Sequence, residues 1–448
     1  MITIYEKSNL AEKILQKQLF NANKEYKKSN FVVSVQIEKD IVLFNNLTKK
    51  MVILTHEESN YLKKPQIWPS ESIRALIENW FLVPIDYDEK KVCDQIVNIN
   101  KLYNNNDFLN NFVILTTTDC NARCFYCYEH GSKRINMTKP TANDIAKFII
   151  KKSKRHPITI KWFGGEPLYN SEVIDIICDN LRSAGIKFSS HMTTNAYLLS
   201  EKTAIRAKKR WNMKRVQITL DGTEFVYNKT KSFIYGTDIN AFKIVTDNIE
   251  SLLENDFYVT IRINLIDENV SDVYKLIDYI DKRYANKTNI NVYIANLYDL
   301  DRKNTKDKIL KMNQLSFELN KYLLDKNLKK YSIESWSTLN RGCMAQNDKS
   351  VVISPTGILG KCEHFFESEN VFGSIYNDDV NAKIINYWNY FERIDSCNQC
   401  AVYPNCYGEG NCPSISHNCD IVEKKIKLYD IEMCIRSKYY DYKKTVRE

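Results

Sequence analysis

The sequence lacks three features that mark large classes of proteins. No apolar run approaches the roughly 20 residues that a membrane-spanning helix needs. The opening segment, MITIYEKSNLAEKILQKQLF, mixes charged and apolar side chains and lacks a secretory signal pattern. No block of basic residues is interleaved with aromatic side chains in the way that favours nucleic-acid binding. We therefore expect a cytoplasmic protein that binds neither a membrane nor nucleic acid.

The composition bounds the number of domains and the choice of partner. A chain of 448 residues is too long for one ordinary domain, so two or three are expected. Hydrophobic residues make up 44% of the chain, which is enough for substantial cores. The net charge of +9 is spread along the chain and indicates either solubility alone or an acidic partner.

Cysteine is present in unusual amount, with 13 residues. In a reducing compartment disulfides are not expected, and cysteines grouped at short spacings indicate metal binding. Three lie within residues 120–127 and eight within residues 343–434. Cys93 and Cys178 stand alone, and ordinary burial explains them best.

Short β-rich runs alternate with longer amphipathic runs after residue 112. Strands are predicted at FVILTTT, ITIKWF, KFSSHMTT, VQITL, YVTIRIN and INVYIA, and helices at 143–153, 171–184, 201–209, 241–254 and 270–284. Strands that alternate with helices favour a parallel sheet. About six such units predict an α/β fold with a partial (β/α)6 barrel.

The region upstream has a different organisation. Residues 31–55 predict three short strands, and helices are predicted near 57–63 and 71–80. The Asn-rich segment KLYNNNDFLNN, residues 101–111, predicts a linker. The expected domains span residues 1–105, 106–300, 301–340 and 341–448, the third being a bridging helical region.

Polar signatures follow the predicted strands of the barrel one after another. The cysteine loop follows the first strand, and GGEP, residues 164–167, follows the second. Asn195 follows the third strand, Asp221 the fourth, and Asn264 ends the fifth. In βα barrels the loops at the carboxyl ends of the strands build the active site. These residues are therefore expected to lie together on one rim.

Three thiolates in one loop suit a [4Fe–4S] cluster that keeps one iron open. A zinc site is the alternative, and it needs a fourth ligand such as His130. An open iron invites a chelating small molecule, such as an amino acid bound by its amine and carboxylate. Gly164 and Gly165 would let the backbone approach such a ligand closely, and Glu166 can accept hydrogen bonds from an ammonium group.

The motif Cys120-x3-Cys124-x2-Cys127, with Tyr126 before the last cysteine, resembles that of the radical S-adenosylmethionine (SAM) enzymes. The stretches WFGGEPL and QITLDGT look like those of the substrate-maturing branch, and the resemblance covers residues 112–434. It implies that the three cysteines hold the SAM-binding cluster. In that family the reduced cluster cleaves SAM to a 5′-deoxyadenosyl radical, which abstracts a substrate hydrogen.

The resemblance also implies which residues bind SAM. Gly164, Gly165 and Glu166 are expected to face the methionine amine. Asn195 stands where the family often has Asn-Gly, and Ala196 replaces that glycine here.

Two basic residues are candidates for the carboxylate of SAM. Lys231 stands where the family has an arginine, and lysine cannot form the forked contact that arginine makes. Arg262 in IRIN is either a cofactor ligand or a structural cation at the strand end. Tyr126 completes the expected cofactor-binding set.

The C-terminal cysteines resemble a SPASM domain, which holds auxiliary iron–sulfur clusters. Five residues separate Cys406 from Cys412, where that pattern usually has three. The resemblance assigns one cluster to Cys343, Cys362 and Cys412, and the other to Cys397, Cys400, Cys406 and Cys434. Cys419 either completes the first cluster or is a bystander. A pair of zinc knots is the alternative; otherwise the protein would hold three [4Fe–4S] clusters.

Two further features bear on the substrate. Glu363 directly follows Cys362, where sulfatase-maturing relatives have an aspartate that acts as a base. Glu363 is therefore the candidate catalytic residue, with a solvated carboxylate as the alternative. The order of elements in residues 1–105 resembles the winged-helix α+β domain fused to many peptide maturases. An exposed strand edge there could bind a leader peptide by strand addition.

The leading hypothesis is a radical SAM maturase of a ribosomally made peptide (a RiPP). It would install a thioether, C–C or ether crosslink, or an epimerised centre, in a precursor peptide that carries a leader. A flavodoxin or ferredoxin is the expected reductant. The runner-up is a sulfatase-maturing, formylglycine-generating enzyme, and Glu363 and the N-terminal domain argue against it. A non-catalytic iron–sulfur electron carrier is the alternative of another class.

Overall fold

The computed structural model divides the chain into two compact units. The first comprises Met1–Asn105, Lys330–Cys343 and Tyr390–Glu448, and the second comprises Asn106–Lys329 and Met344–Asn389. The residues that the structure describes are 1–6, 21, 23–55, 58–59, 70–104, 107–129, 131, 133–236, 239–284, 286–297, 306–330, 343–366, 368–389, 395–406, 419 and 421–447. In these ranges no helix is both long and apolar enough to cross a membrane.

The N-terminal part of the first unit is built on a small antiparallel sheet. Its elements are the strands β1 (Ile2–Tyr5), β2 (Tyr26–Lys28), β3 (Val32–Ile37), β4 (Asp40–Asn45), β5 (Met51–Leu54) and β6 (Leu82–Pro84), and the helices α1 (Ser70–Glu78) and α2 (Glu89–Asn104). The sheet order is β1–β5–β4–β3, and β2 pairs with β6 alone. The three strands expected within residues 31–55 and the helix near 71–80 are confirmed.

One expectation for this region is wrong, and another falls mostly outside the described residues. The predicted linker is wrong at its start, because α2 continues to Asn104. Apolar residues recur at Val92, Ile96 and Ile99, so the helical period outweighs the Asn-rich composition. Most of the helix expected near 57–63 lies outside the described residues.

Both faces of the small sheet are buried, because the side chains of each strand alternate between them. On one face Val42 and Phe44 of β4 pack with Val35 and Met51. On the other face Leu43 packs with residues of α1, and it is fully buried. Because both faces carry apolar side chains, other elements must pack against each side of the sheet.

The second unit contains the parallel sheet that the sequence predicts. Its six strands in chain order are β7 (Asn111–Leu115), β8 (Ile158–Phe163), β9 (Phe188–Thr194), β10 (Met213–Thr219), β11 (Tyr258–Leu265) and β12 (Ile290–Asn296). Each pairs in parallel with the next. An α/β fold with a mostly parallel sheet is therefore confirmed.

The helices of this unit follow the strands. They are α3 (Lys139–Ser153), α4 (Ser171–Ser183), α5 (Glu201–Arg210), α6 (Glu224–Lys231), α7 (Ala241–Glu254), α8 (Val270–Tyr284), α9 (Lys306–Asp325) and α10 (Ala382–Asn389). The five helices expected between the strands are confirmed. Sequence periodicity misses α6, which spans only 8 residues and carries few apolar side chains.

Three more strands extend the sheet at its β7 edge. They are β13 (Ser350–Ile353), β14 (Ile358–Gly360) and β15 (Val371–Ser374). β13 lies parallel to β7, and β14 and β15 follow as antiparallel neighbours. The sheet thus has nine strands. The segment that carries Cys362 follows β14, which is separated from β7 by β13 alone.

The two faces of the parallel sheet differ in chemistry. The face that packs on the helices carries alternate apolar residues, such as Ile160, Met192 and Val216, in one large core. The opposite face, called the inner face here, is apolar near β7, where Val113 and Phe163 pack together. From β8 to β12 it carries polar and basic side chains, among them Lys161, His191, Arg215, Gln217, Arg262 and Tyr293.

The C-terminal part of the first unit covers the small sheet. It contains α11 (Tyr403–Cys406) and the long α12 (Ile421–Arg447). Ile431, Cys434, Ile435 and Tyr439 of α12 pack against the face of the sheet that contains Phe44. These positions have the i, i+3, i+4, i+8 spacing of one helix face, so they form one stripe along the helix.

Candidate active site

The cysteine loop follows β7 and is pinned at several points along its backbone. The Thr118 amide donates to the Ile135 carbonyl at 2.9 Å, and the Met137 amide donates to the Thr116 carbonyl at 3.0 Å. The Arg123 amide donates to the carbonyl of Lys231, at the end of α6, at 2.8 Å. The loop is therefore held from both sides without help from a disulfide.

Cys120, Cys124 and Cys127 are free thiols that are partly buried. The Ala122 amide donates to the Cys120 sulfur at 3.4 Å, and the Asn195 side-chain amide lies 3.8 Å from the same sulfur. Burial, with the Glu166 carboxylate nearby, raises the pKa of the Cys120 thiol to about 12. A coordinated metal would be needed to hold this sulfur as a thiolate at neutral pH.

The GGEP loop is joined to the cysteine loop through its backbone. The Gly165 amide donates to the Thr117 carbonyl at 3.0 Å, and the Glu166 amide donates to the Asp119 carbonyl at 2.9 Å. A Cβ on Gly164 would lie 2.1 Å from the Thr117 oxygen, and one on Gly165 would lie 2.3 Å from the Asp119 oxygen. Both glycines are thus required by the approach of the cysteine loop itself, a reason that the sequence does not reveal.

Replacing Gly164 with alanine is expected to disorganise the cysteine loop. The added Cβ would meet a backbone oxygen, and the φ of +125° is one that residues with a side chain rarely adopt. Gly236→Ala is the matched control, because its φ is +106° and nothing lies within 4 Å of its Cβ. We expect Gly164→Ala to lose about four irons and Gly236→Ala to lose none, measured on anaerobically prepared protein. Equal iron content in the two variants would contradict the steric argument.

Glu166 lies at the centre of this arrangement and is fully buried. Its carboxylate accepts hydrogen bonds from the Asn195 amide at 2.8 Å, the Thr194 hydroxyl at 2.7 Å and the Leu168 amide at 3.1 Å. Burial raises its pKa to about 7 in spite of these donors. The carboxylate couples the GGEP loop to the end of β9, and a cation placed beside it would favour its ionised form.

A second buried network contains Tyr126, Asp221 and Lys231. The Lys231 ammonium lies 2.8 Å from the Asp221 carboxylate, and both side chains are almost fully buried. The Tyr126 hydroxyl donates to Asp221 at 2.5 Å and accepts from Lys231 at 2.7 Å. Burial works to lower the pKa of Lys231, but Asp221 and Tyr126 outweigh it and hold that pKa well above its usual value.

The end of β11 joins the same network. The Asn264 side-chain amide donates to Asp221 at 2.8 Å and to the Tyr126 hydroxyl at 3.2 Å. Arg262 donates through Nε to the Asn264 side-chain oxygen at 2.9 Å. The structure therefore brings together Tyr126, Lys231 and Arg262, which the sequence singles out separately. Asp221 accepts a hydrogen bond from Tyr126 and pairs with Lys231, and Asn264 links it to Arg262.

Asn195 ties the end of β9 to the cysteine loop. Its side-chain amide donates to the Asn121 oxygen at 2.7 Å. Ala196, which replaces the glycine frequent in the family, has a φ of +62°. That left-handed conformation is the one that glycine adopts without cost, which explains the glycine preference at this position.

The donor set of the loop suits an iron–sulfur cluster. In a [4Fe–4S] cluster three cysteine thiolates each bind a different iron. Among the described residues, no group of three or more His, Cys, Asp or Glu side chains forms a site for a single metal ion. The buried Asn121 side-chain nitrogen has no hydrogen-bond partner among the residues that the structure describes. Next to Cys120, it is a donor suited to a cluster sulfide.

Glu363 lies on the inner face, away from bulk solvent. Its carboxylate pairs with Lys161 of β8 at 2.6 Å, and the two side chains are 13% and 22% exposed. Sequence reasoning missed Lys161. The available signal was a charged residue in the middle of the otherwise apolar strand ITIKWF.

Four of the C-terminal cysteines lie together in the first unit. Cys434 packs in one apolar cluster with Cys400 and Cys406 at its edge, and Cys397 packs in a second cluster that also reaches Cys400. Lys427 donates to the Cys406 sulfur at 3.4 Å.

The remaining candidate ligands are less fully placed. Cys343 is exposed in the first unit, Cys362 is half-buried in the second, and Cys419 is half-buried. Cys412 lies outside the described residues, as does His130. Cys93 and Cys178 are buried in apolar cores, as expected.

Comparison with known proteins gives a family match within the second unit. Residues 114–280 match the model of the radical SAM superfamily. A probable GTP 3′,8-cyclase of Methanococcus maripaludis is 30% identical over 177 residues, which are 39% of this chain and 56% of that protein. The chain thus spans little more than half the length of such curated relatives. The radical SAM cyclopropyl synthase TigE of Paramaledivibacter caminithermalis is 20% identical over 412 residues, 83% of each chain.

Solved structures share the fold over a larger part of the chain. Native anSMEcpe with bound AdoMet and Cp18Cys peptide has a TM-score of 0.58 at 14% identity, covering 75% of this chain and 99% of its own. Streptococcus suis SuiB bound to precursor peptide SuiA has a TM-score of 0.50 at 14% identity, covering 86% and 95%. Residues 114–280 are therefore a radical SAM domain, in a chain that resembles TigE, anSMEcpe and SuiB over most of its length.

Proposed function

We propose that this protein is a radical SAM maturase that modifies a residue of a ribosomally made precursor peptide. The observation that carries the proposal is the joining of the cysteine loop, the GGEP loop and the Tyr126–Asp221–Lys231 network at one edge of the sheet. The resemblance of the chain to TigE and to the peptide-bound anSMEcpe and SuiB supports it.

The residues of the rim have distinct tasks in this proposal. Cys120, Cys124 and Cys127 would hold a [4Fe–4S] cluster, with one iron left open for SAM. When bound, the cluster and SAM supply a 5′-deoxyadenosyl radical that abstracts a substrate hydrogen. The GGEP residues and Asn195 would lie at the methionine amine, where the buried Glu166 carboxylate favours a cation.

The network at the end of β11 would orient the other end of the methionine. Lys231 is charged and already paired with Asp221, so it can add a contact to the SAM carboxylate without first being desolvated. Arg262 would be the second candidate for that contact. Tyr126, held by Lys231 and Asp221, would form part of the wall around the cofactor.

Glu363 would accept a proton from the substrate residue after hydrogen abstraction. Its carboxylate is held in place by the 2.6 Å contact with the Lys161 ammonium, and a general base must be positioned in this way. The pair lies on the inner face, where the helices do not pack.

The auxiliary cysteines would serve the oxidation. Forming a crosslink removes two electrons from the peptide, and one of them must leave after the radical step. Two auxiliary [4Fe–4S] clusters are suited to accept it, giving three clusters and about twelve irons in all. A flavodoxin or ferredoxin would supply the electron that starts the reaction.

The N-terminal sheet would bind the leader of the precursor. β3 lies at one edge of the sheet β1–β5–β4–β3, and an edge strand offers unpaired backbone groups for strand addition. The leader would thereby raise the local concentration of the core peptide at the active site.

The deciding experiment is an anaerobic reaction with a precursor peptide, to be sought as a short reading frame beside this gene, followed by mass spectrometry. Loss of two hydrogens is expected for a crosslink, and unchanged mass with deuterium uptake from solvent is expected for an epimerised centre. Omission of SAM is the control. A peptide that stays unchanged by both measures, while the same protein releases 5′-deoxyadenosine, would refute the peptide assignment. Absence of 5′-deoxyadenosine under every reducing condition would favour a non-catalytic carrier.

A further inference from the structure

The inner face of the parallel sheet carries a row of basic side chains. Lys161 of β8 is the backbone partner of His191 of β9, and His191 is the partner of Arg215 of β10. Partners in a parallel sheet point to the same face, and neighbouring strands lie about 4.8 Å apart. The three side chains therefore start within about 10 Å of one another across the sheet.

The stability of the sheet does not explain this row. None of the three side chains belongs to the apolar core of the unit, so they add no apolar packing to the sheet. On the other face the same three strands carry apolar residues that pack on the helices, including Ile160, Met192 and Val216. The row is thus confined to the face where the helices do not pack.

Arg215 carries the one charge of the row that no carboxylate of the described residues balances. Glu363 neutralises Lys161 through their 2.6 Å ion pair. Burial, together with Lys161 and Arg215, lowers the pKa of His191 to about 4, so the imidazole is neutral at pH 7. Arg215 is exposed, its guanidinium carbon lies 6.0 Å from the centroid of the Tyr258 ring, and within the described ranges no ion pair joins it to a carboxylate.

The rest of the inner face adds to the positive charge. Arg262 of β11 bonds to the Asn264 amide oxygen, which is neutral. Gln217 and Tyr293 are neutral, and they bond to each other at 3.1 Å. The described inner face from β8 to β12 therefore has more fixed cations than carboxylates.

The row lies apart from the expected SAM-binding edge. Arg215 is four residues before Thr219, the end of β10, so it lies about 13 Å back along the strand. The Tyr126–Asp221–Lys231 network, in contrast, follows the end of that strand. A carboxylate of SAM held at the edge would not neutralise Arg215.

We propose that the inner face binds a carboxylate of the peptide substrate, with Arg215 as its main contact. This inference rests on the proposed function and names a class of substrate for it: a peptide whose core carries an acidic side chain or a free C-terminus near the modified residue. Arginine matches a carboxylate with two parallel hydrogen bonds, and such charged contacts are the strong ones. Arg215 is a specificity residue in this role, and the Lys161–Glu363 pair beside it stays intact.

The test measures binding to the holoprotein loaded with SAM and kept unreduced, so that no turnover occurs. The probes are the peptides Ac-Gly-Ala-Asp-Ala-Gly-NH2, its Asn counterpart, its Lys counterpart, and Ac-Gly-Ala-Ala-Ala-Gly-OH. Titration calorimetry at about 50 mM salt limits screening of the half-exposed charges. We expect a carboxylate peptide to bind about tenfold more tightly than the Asn peptide. Preference for the Asp peptide or for the free C-terminus identifies the source of the carboxylate.

Two substitutions at Arg215 sharpen the result. Arg215→Gln is expected to remove the preference for a carboxylate, and Arg215→Glu is expected to reverse it in favour of the Lys peptide. Lys209→Gln, at an exposed position on α5, removes the same charge elsewhere and should keep the wild-type preference. Equal binding of the Asp and Asn peptides to the wild type, no binding of any probe, or an unchanged preference in Arg215→Glu would each overturn the inference. Failure to modify the precursor would instead count against the proposed function, because the binding test requires no modification.

Discussion

Replacing Cys120, Cys124 and Cys127 together with alanine is expected to abolish 5′-deoxyadenosine formation. The three thiols lie in one loop that is tied to the GGEP loop and to α6, so they are presented at one place on the sheet edge. Without them no cluster can hold SAM by an open iron. The variant should retain about eight of about twelve irons, because the C-terminal cysteines lie elsewhere in the chain.

A matched control separates loss of the cluster from loss of the fold. Cys178→Ala removes a thiol that is fully buried under the helices and far from the loop in sequence. It should keep its 5′-deoxyadenosine release and its full iron content. Chromatographic assay of 5′-deoxyadenosine after chemical reduction, with iron analysis of the same samples, measures both quantities. Release by the triple variant at the wild-type rate would sink the assignment of the loop.

Deleting residues 1–105 is expected to remove one auxiliary cluster, not only the recognition of the peptide. Val35, Phe44 and Met51 of the small sheet pack against the segment of α12 that contains Cys434. Asn46 also donates to the Ala401 carbonyl, between Cys400 and α11, at 2.6 Å. Without the small sheet, the segments that carry Cys397, Cys400, Cys406 and Cys434 would lose the residues against which they pack.

The truncated protein should therefore contain about four irons fewer and still cleave SAM when reduced. The cysteine loop, the GGEP loop and the Tyr126–Asp221–Lys231 network all belong to the second unit. It should modify the precursor poorly, through loss of both the leader contact and the cluster. Full iron content after truncation would contradict the packing argument, and equal rates of modification would contradict a role in recognition.

Two point variants distinguish loss of packing against the cysteines of the auxiliary cluster from general destabilisation of the sheet. Phe44 and Leu43 are adjacent on β4 and fully buried, but they face opposite sides. Each change to alanine is expected to cost about 2–5 kcal/mol of stability. Phe44→Ala should also change the electron paramagnetic resonance signal of the reduced auxiliary cluster, whereas Leu43→Ala should not. If both changes alter that signal to a similar extent, destabilisation of the sheet alone explains the change.

The periodic parts of the fold could be predicted from the sequence because they depend on local pattern. Runs such as ITIKWF and VQITL alternate with amphipathic segments, and the structure has strands and helices at these places. The rim residues could be predicted for the same reason, since each lies at or just after the carboxyl end of a strand. The predicted linker fails up to Asn104 because the helical period of α2 outweighs its Asn-rich composition.

The order of strands and helices, the three-cysteine loop and the places of GGEP, Asn195, Asp221 and Asn264 at strand ends can be predicted from the chain without its fold. Which distant residues meet is known only from the folded chain. It packs Cys434 against Phe44, pairs Glu363 with Lys161, and aligns Arg215 with His191. These contacts depend on sheet register and on the sides from which segments approach, which no short stretch of sequence encodes. The glycines of GGEP show the same division: their spacing is visible in the chain, but the carbonyl of Thr117 that requires Gly164 becomes visible only when the two loops are side by side.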